Sequence, residues 1–237
     1  MGLKPYDNLI LAHANLVNYW PLDGDLVDAK GGNNLTGTNG WTKGPIGSQA
    51  ALLDGINQQL QSTAAIDLTG TNKVTLEMMI QWIVYDTTNI EVIAELSADI
   101  GVNPGFSLNS QGTIANDPLG LSCKTNVGIN NALHNYPANG IVARYWRHYA
   151  MLYDIAQAIS EPSLYINGVA RTRESQTAAN NNTANFPNTK LYFGSRGGVS
   201  SFANIAASNI ALYNTTLSDS DIMAHAQLAI PRKRHCR

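Results

Sequence analysis

The chain has 237 residues, 44% of them hydrophobic and 14% charged, with a formal net charge of −2. That length supplies a full core, and the composition excludes a disordered chain. The slightly acidic balance excludes general electrostatic attraction to nucleic acid or an anionic membrane, either of which would show a basic surplus.

In chain order, MGLKPYDNLI lacks the long apolar core of a signal peptide, so Sec export is not expected. Tyr6, Leu9, Ile10 and His13 fall at helical spacing. Residues 1–14 read as an N-terminal arm, either one docked turn or an extended segment, with Leu9, Ile10 and Leu11 as candidates for docking on a partner. The main domain covers 15–230. A strand is predicted at 16–22, the Asn/Gly/Thr-rich stretch 31–42 reads as a long loop, and strands follow at 50–53 and 58–62. The run KVTLEMMIQWIVY at 73–85 puts Val74, Leu76, Met78, Ile80, Trp82 and Val84 on one face and leaves the other only partly polar, as a central strand would. Its apolar stretch is far too short to cross a bilayer. At 90–96, Ile90, Val92, Ala94 and Leu96 alternate with Glu91, Ile93 and Glu95, which predicts one face toward solvent or a groove.

Strands at 105–109 and 119–125 lead to the clearest local signal, YWRHYAMLYD followed by SLYINGV. A period of two sends Tyr145, Arg147, Tyr149, Met151 and Tyr153 one way and Trp146, His148, Ala150 and Leu152 the other. Asn167-Gly168 suits a type I′ turn that returns Val169 antiparallel to Ile166. Residues 178–188 read as a loop, and 190–195 and 202–214 as strands. One helix is well signalled, at about 219–228, by Ser218 as N-cap, Asp221 as its capping-box partner and Leu217 with Ile222 as a hydrophobic staple. The basic tail 231–237, PRKRHCR, reads as a solvated end or as an electrostatic contact with an acidic partner. Many short strands with few helices predict a single all-β domain, with Val74, Leu76, Ile80, Trp82, Trp146, Leu152, Leu164, Ile166, Leu191, Ile210 and Leu212 largely buried.

Three blocks in order carry a family resemblance: VNYWPLDGDLVDAKGGNNLTGT with GSQAALLDG; VTLEMMIQW with WRHYAMLYD and LYINGV; and LYFGS with IALYNTTLSDSDI. Together they resemble the laminin-G-like, concanavalin A-like superfamily across nearly the whole chain. The resemblance implies a two-sheet antiparallel jelly-roll sandwich with a short C-terminal helix. Where that family often carries Asp-Glu before its closing strand, this chain has Ser208 and Asn209, and Asn167 replaces the hairpin aspartate. The front segment YDNLILAHANLVNYW is similar to the lead-in of such modules in structural proteins of tailed bacteriophages, which implies virion proteins as partners and synthesis in a host cytoplasm, with an extracellular protein as the alternative.

Glycosidases of this superfamily place carboxylates at alternate positions on one strand. Glu91 and Glu95 lie four residues apart, roughly 13 Å along an extended strand, which is beyond the range of a retaining or inverting pair. Nucleophile-elbow, zincin, P-loop and dinucleotide motifs are absent, and the five histidines lack ligand spacing. His148 is expected to hydrogen-bond within or beside the core. Asp23, Asp25, Asp28 and Asn33 offer hard oxygen ligands, either as a structural calcium site or as a solvated turn with Asx capping; no cofactor is required. Trp41 and Tyr136, flanked by Gly, Asn and Pro, are the candidate loop aromatics for stacking on a sugar ring, with packing against the domain as the alternative for each. Cys123 and Cys236 read as two thiols. The expected function is a non-catalytic virion structural or attachment protein, a capsid decoration or fibre-like component that could form a homo-oligomer, with a carbohydrate-binding module for cell-surface glycans as the alternative and a glycosidase third.

Overall fold

Alternating apolar positions can be buried only by stacking sheet on sheet, and the strands of this chain do so in two antiparallel sheets. The structure is a computed structural model that describes residues 4–46, 49–112, 119–125, 132–137, 144–155, 162–177 and 184–230. Its elements are α1 (Pro5–Leu11), β1 (Leu16–Trp20), β2 (Leu35–Thr38), β3 (Gly40–Lys43), β4 (Gln49–Leu52), β5 (Gln59–Ser62), β6 (Ile66–Asp67), β7 (Lys73–Trp82), β8 (Val92–Leu96) and β9 (Gly105–Ser110). There follow β10 (Leu119–Lys124), β11 (Ala132–Tyr136), β12 (Trp146–Asp154), β13 (Ser163–Ile166), β14 (Val169–Ala170), β15 (Ser175–Thr177), β16 (Asn188–Thr189), β17 (Tyr192–Phe193), β18 (Ile205–Tyr213) and α2 (Asp219–Ala229).

One sheet runs β14-β13-β12-β7-β18-β4-β3, and the other β15-β11-β10-β9-β8-β17-β5-β2. In the first sheet the far side of β18 is shared, β4 pairing with its first half and β1 with its second. A bulge after Ser208 separates the two, and Asn209 sits there with φ 52°, its amide bonded to the Pro21 carbonyl at 3.1 Å. Between the sheets lies one core that includes Trp20, Leu76, Ile80, Trp82, Phe106, Leu121, Tyr149, Leu191 and Leu212. A second apolar cluster lies on the outer face of the first sheet, where Met79, Ala150, Leu152, Ala211 and Tyr213 meet Tyr6 and Ile10 of α1 and Ile222 and Ala229 of α2. Burial of these residues is the dominant favourable term in a fold of this kind.

The hairpin forms as the turn chemistry requires. Asn167 and Gly168 take φ 55° and 79°, and Ile166 pairs with Val169. Gly168 is required twice over, since a Cβ there would also meet Met223 and Ala226 of α2 at 3.0 and 3.2 Å. On β12, Tyr149, Met151 and Tyr153 face the inter-sheet core while Ala150 and Leu152 face the outer cluster. Helix α2 carries the full capping box between Ser218 and Asp221.

Other expectations are corrected. The segment 31–42 is not wholly loop, because β2 and β3 within it pair with β5 and β4. Within the described part of the arm, residues 4–14, α1 packs on α2 and β1, Ile10 is fully buried, and Leu11 lies against the outer cluster. Ile10 therefore has no surface for docking on a partner, and Leu9 and Leu11 are only partly exposed. Trp146 is partly buried in the outer cluster rather than deep between the sheets. Strand β7 ends at Trp82, so Val84 is exposed. Residues 178–183 and the tail at 231–237, Cys236 with it, lie outside the described residues. No helix among the described residues is long and apolar enough to cross a membrane.

Candidate functional site

Of the two aromatic candidates, Trp41 remains accessible. It stands on β3, at one end of the first sheet, 39% exposed over a shallow depression of about 270 Å³ shared with Thr42, Lys43 and Gln49. Tyr136 does not. Its position on β11, paired with Leu119, turns the ring into the core at 3% exposure, and its hydroxyl donates to the Pro162 carbonyl, so it offers no platform to a sugar.

The acidic loop folds around backbone donors. Asp28 accepts hydrogen bonds from the amides of Tyr19, Lys30 and Asn33 and from Asn18 Nδ2 at 2.6–3.0 Å, which engages both carboxylate oxygens. Burial opposes its charge, but those donors hold the carboxyl below the usual range. Asp23 pairs with Lys4 and accepts the Gln49 amide, Asp25 accepts the Val27 amide, and the Asn33 side chain bridges to Ala64. This is Asx capping, and among the described residues no three His, Cys, Asp or Glu side chains are grouped as a metal site.

The strand holding Glu91 and Glu95 departs from simple alternation. A bulge between Val92 and Ala94 brings Ile93 as well as Ala94 into the inter-sheet core, so neither face of β8 is open to solvent. Glu91 accepts the amides of Asp86 and Asn204, both at 3.1 Å. Glu95 accepts the Ile100 amide at 2.8 Å and meets Arg196 Nε at 3.3 Å. Burial raises both carboxyls despite these partners. Each carboxylate thus closes a loop.

A cleft of about 470 Å³ is lined by Gly55, Asp86, Thr88, Asn89, Glu91 and Phe202. A second hollow of about 320 Å³ shares Gly55, Asp86, Glu91 and Phe202 with it and extends to Asp54, Tyr85 and Asn204. Three loops build the site. Asp54 caps the amides of Ile56, Asn57 and Gln58 in the turn after β4. Asp86 accepts from the Thr88 amide and hydroxyl and from Asn89, bonds that draw its carboxyl down to about 2. Glu91 then ties this loop to the third by its bonds to the Asp86 and Asn204 amides. The result is a rigid polar surface with half-buried Phe202 and Tyr85 beside exposed Thr88 and Asn89, suited to hydrogen bonding hydroxyl groups while packing an apolar ring face. Sequence reading missed this cleft. Its only signal was turn chemistry, Asp54-Gly55 and Asp86-Thr-Thr-Asn, which does not say that distant turns meet.

A model of the concanavalin A-like lectin/glucanases superfamily matches residues 54–223. A comparison with curated protein sequences finds no match. Among solved structures, the binding domain of Paraclostridial Mosquitocidal Protein 1 superposes with a TM-score of 0.65 at 15% identity, over 90% of this chain and 52% of that one. The receptor binding domain of botulinum neurotoxin D gives 0.61 at 15% identity, again over 90% and 52%. Domain 4 of AbnA, a GH43 extracellular arabinanase from Geobacillus stearothermophilus solved with arabinotriose, gives 0.60 at 19% identity, over 90% and 98%. At these identities the likeness is one of fold, and the chain spans about half the length of the two toxin structures. From the family match, which runs from β5 through β18 into the start of α2, the chain belongs to the concanavalin A-like lectin/glucanases superfamily.

Proposed function

We propose that the domain is a non-catalytic recognition module that binds a glycan in the cleft between the Asp54, Asp86 and Asn204 loops. The observation that carries this reading is the disposition of Glu91: the cleft's deepest carboxylate holds two backbone amides at 3.1 Å and thereby fixes the shape of the wall. A general acid or nucleophile must be free to meet the scissile bond, and a second carboxyl must oppose it at a set separation. Glu95, the acid within β8, is buried against Arg196. Recognition without hydrolysis is also in keeping with the fold's occurrence in toxin receptor-binding domains and in an arabinanase domain solved with arabinotriose.

The setting we propose is the surface of a tailed-phage particle, where the domain serves as a decoration or fibre-like component held by other virion proteins. The phage-like lead-in at 6–20 supports this. A glycan array with the purified chain, followed by titration of the best ligand against Asn89→Ala and Phe202→Ala, tests the cleft. Binding should be lost in both variants, with no release of reducing sugar from any bound polysaccharide. Undiminished binding in both variants would remove the cleft from consideration, and turnover abolished by Glu91→Gln would make the protein an enzyme. Mass spectrometry of purified virions tests the setting separately.

A further inference from the structure

The hydrogen-bond donors around the cleft are already committed to the protein's own carboxylates. Asp54 Oδ1 accepts the amides of Ile56, Asn57 and Gln58 at 2.9–3.1 Å. Asp86 takes the Thr88 amide at 2.7 Å, the Thr88 hydroxyl at 2.6 Å and the Asn89 amide at 3.2 Å on one oxygen, and Asn89 Nδ2 at 2.8 Å on the other. Glu91 accepts the amides of Asp86 and Asn204. Each bond closes a turn, and each removes a donor that a ligand oxygen could have used. What remains for a ligand is mostly acceptor: Asp54 Oδ2, which takes none of those three amides, and the unused lone pairs of Asp86. Among the described residues, no Lys, Arg or His lines either hollow.

The charge of the walls acts in the same direction. Thr88 and Asn89 draw the Asp86 carboxyl down to about 2, and the three amides on Asp54 outweigh its slight desolvation and hold it below the usual range. Glu91 is raised, first by burial and further by the negative charge of Asp86 beside it, so the cleft already resists one of its own carboxylates. A carboxylate or sulfate brought in by a ligand would shed water next to like charges, with no cation and few donors to replace it. A ligand hydroxyl meets the opposite situation. It carries the proton that Asp54 and Asp86 can accept, while its sugar ring packs on Phe202 or Tyr85. The Ser201 hydroxyl can donate as well as accept, but it has no charge to set against an anion.

We propose that the cleft selects neutral, hydroxyl-rich glycans and rejects those bearing carboxylate or sulfate groups, an inference that rests on the cleft as the glycan site. Matched pairs test it: lactosamine against its sialylated form, methyl-esterified homogalacturonan against polygalacturonate, and dextran against dextran sulfate. In any pair that binds, the neutral member should be held at least about fivefold more tightly at about 20 mM salt, and the gap should narrow at about 0.5 M salt, where like-charge repulsion is screened. Asp86→Asn keeps an acceptor for the turn amides but removes the charge, so it should narrow the gap at low salt. Asp25→Asn, the same loss of charge outside the cleft, should leave the gap as it is. Anionic members bound as tightly as neutral ones, or a gap unmoved by both salt and Asp86→Asn, would overturn the charge selection. If Asn89→Ala and Phe202→Ala still abolished binding in that case, the cleft would stand as the site and only its ligand class would be wrong. Binding undiminished in those two variants, or no binding to any glycan, would bring down the proposed function and this inference together. Should Asp86→Asn fail to fold, the salt dependence of the wild-type gap still decides.

Discussion

Trp82 stands on the inward face of β7, 1% exposed, with its indole N–H toward the Tyr149 hydroxyl at 3.3 Å and its ring edge-on to Tyr85 at 5.0 Å. Truncation leaves a cavity that two rigid sheets cannot close, so Trp82→Ala should lower unfolding free energy by about 3–5 kcal/mol in a urea titration. A loss below about 1 kcal/mol would mean that the site collapses freely. That Trp82 belongs to the core was legible because strict alternation on a long strand leaves one choice of face. Ile93 was misread, and the choice between stacking and packing was left open for Tyr136, for reasons outside local pattern. The bulge in β8 resets its alternation by one residue, and the inward face of β11 is chosen by pairing with β10 rather than by neighbouring Gly, Asn and Pro.

Among elements, α2 was legible in full because its signals are local: an N-cap, a capping box and a staple lie within six residues. Ser218 accepts the Asp221 amide at 3.2 Å, and Ser218→Ala should cost about 1 kcal/mol, measured as a lower midpoint of thermal unfolding. Gly168→Ala should cost more than the conformational term alone, since the added methyl meets both the left-handed φ and the underside of α2. The signature to seek is weakened protection of α2 in that variant, which strain confined to the turn would not produce. By contrast β2 and β3 hold few apolar residues and exist through long-range pairing, which no local window reports. The cleft was illegible for the same reason. Asp54, Asp86 and Asn204 meet because three loops end on one rim of the sandwich, although the turn chemistry of the first two was plain in the sequence.

Across the whole molecule, the net pH dependence of stability follows from opposing carboxyls. Glu77 is depressed in the folded state by His148 and His225 against its burial, so its contribution is present above the unfolded carboxyl value and is lost as pH falls toward about 2. Glu91 and Glu95 are raised, chiefly by burial, so theirs is present below the unfolded value and is lost as pH rises through the folded one. The Glu77 shift is the larger, and the net acid limb should therefore fall: on the order of 3 kcal/mol is lost between neutrality and about pH 2, as expected for a depression of that size. Glu77→Gln should flatten the acid limb while lowering stability at neutral pH, because the neutral amide cannot replace the carboxylate that joins His148, His225 and Tyr213 and leaves that buried network broken. Urea unfolding of both proteins at several pH values is the measurement. Parallel curves would transfer the acid limb to exposed carboxylates such as Asp54 and Asp86, whose turn-capping bonds also depress them, and would leave Glu77 with a packing role alone.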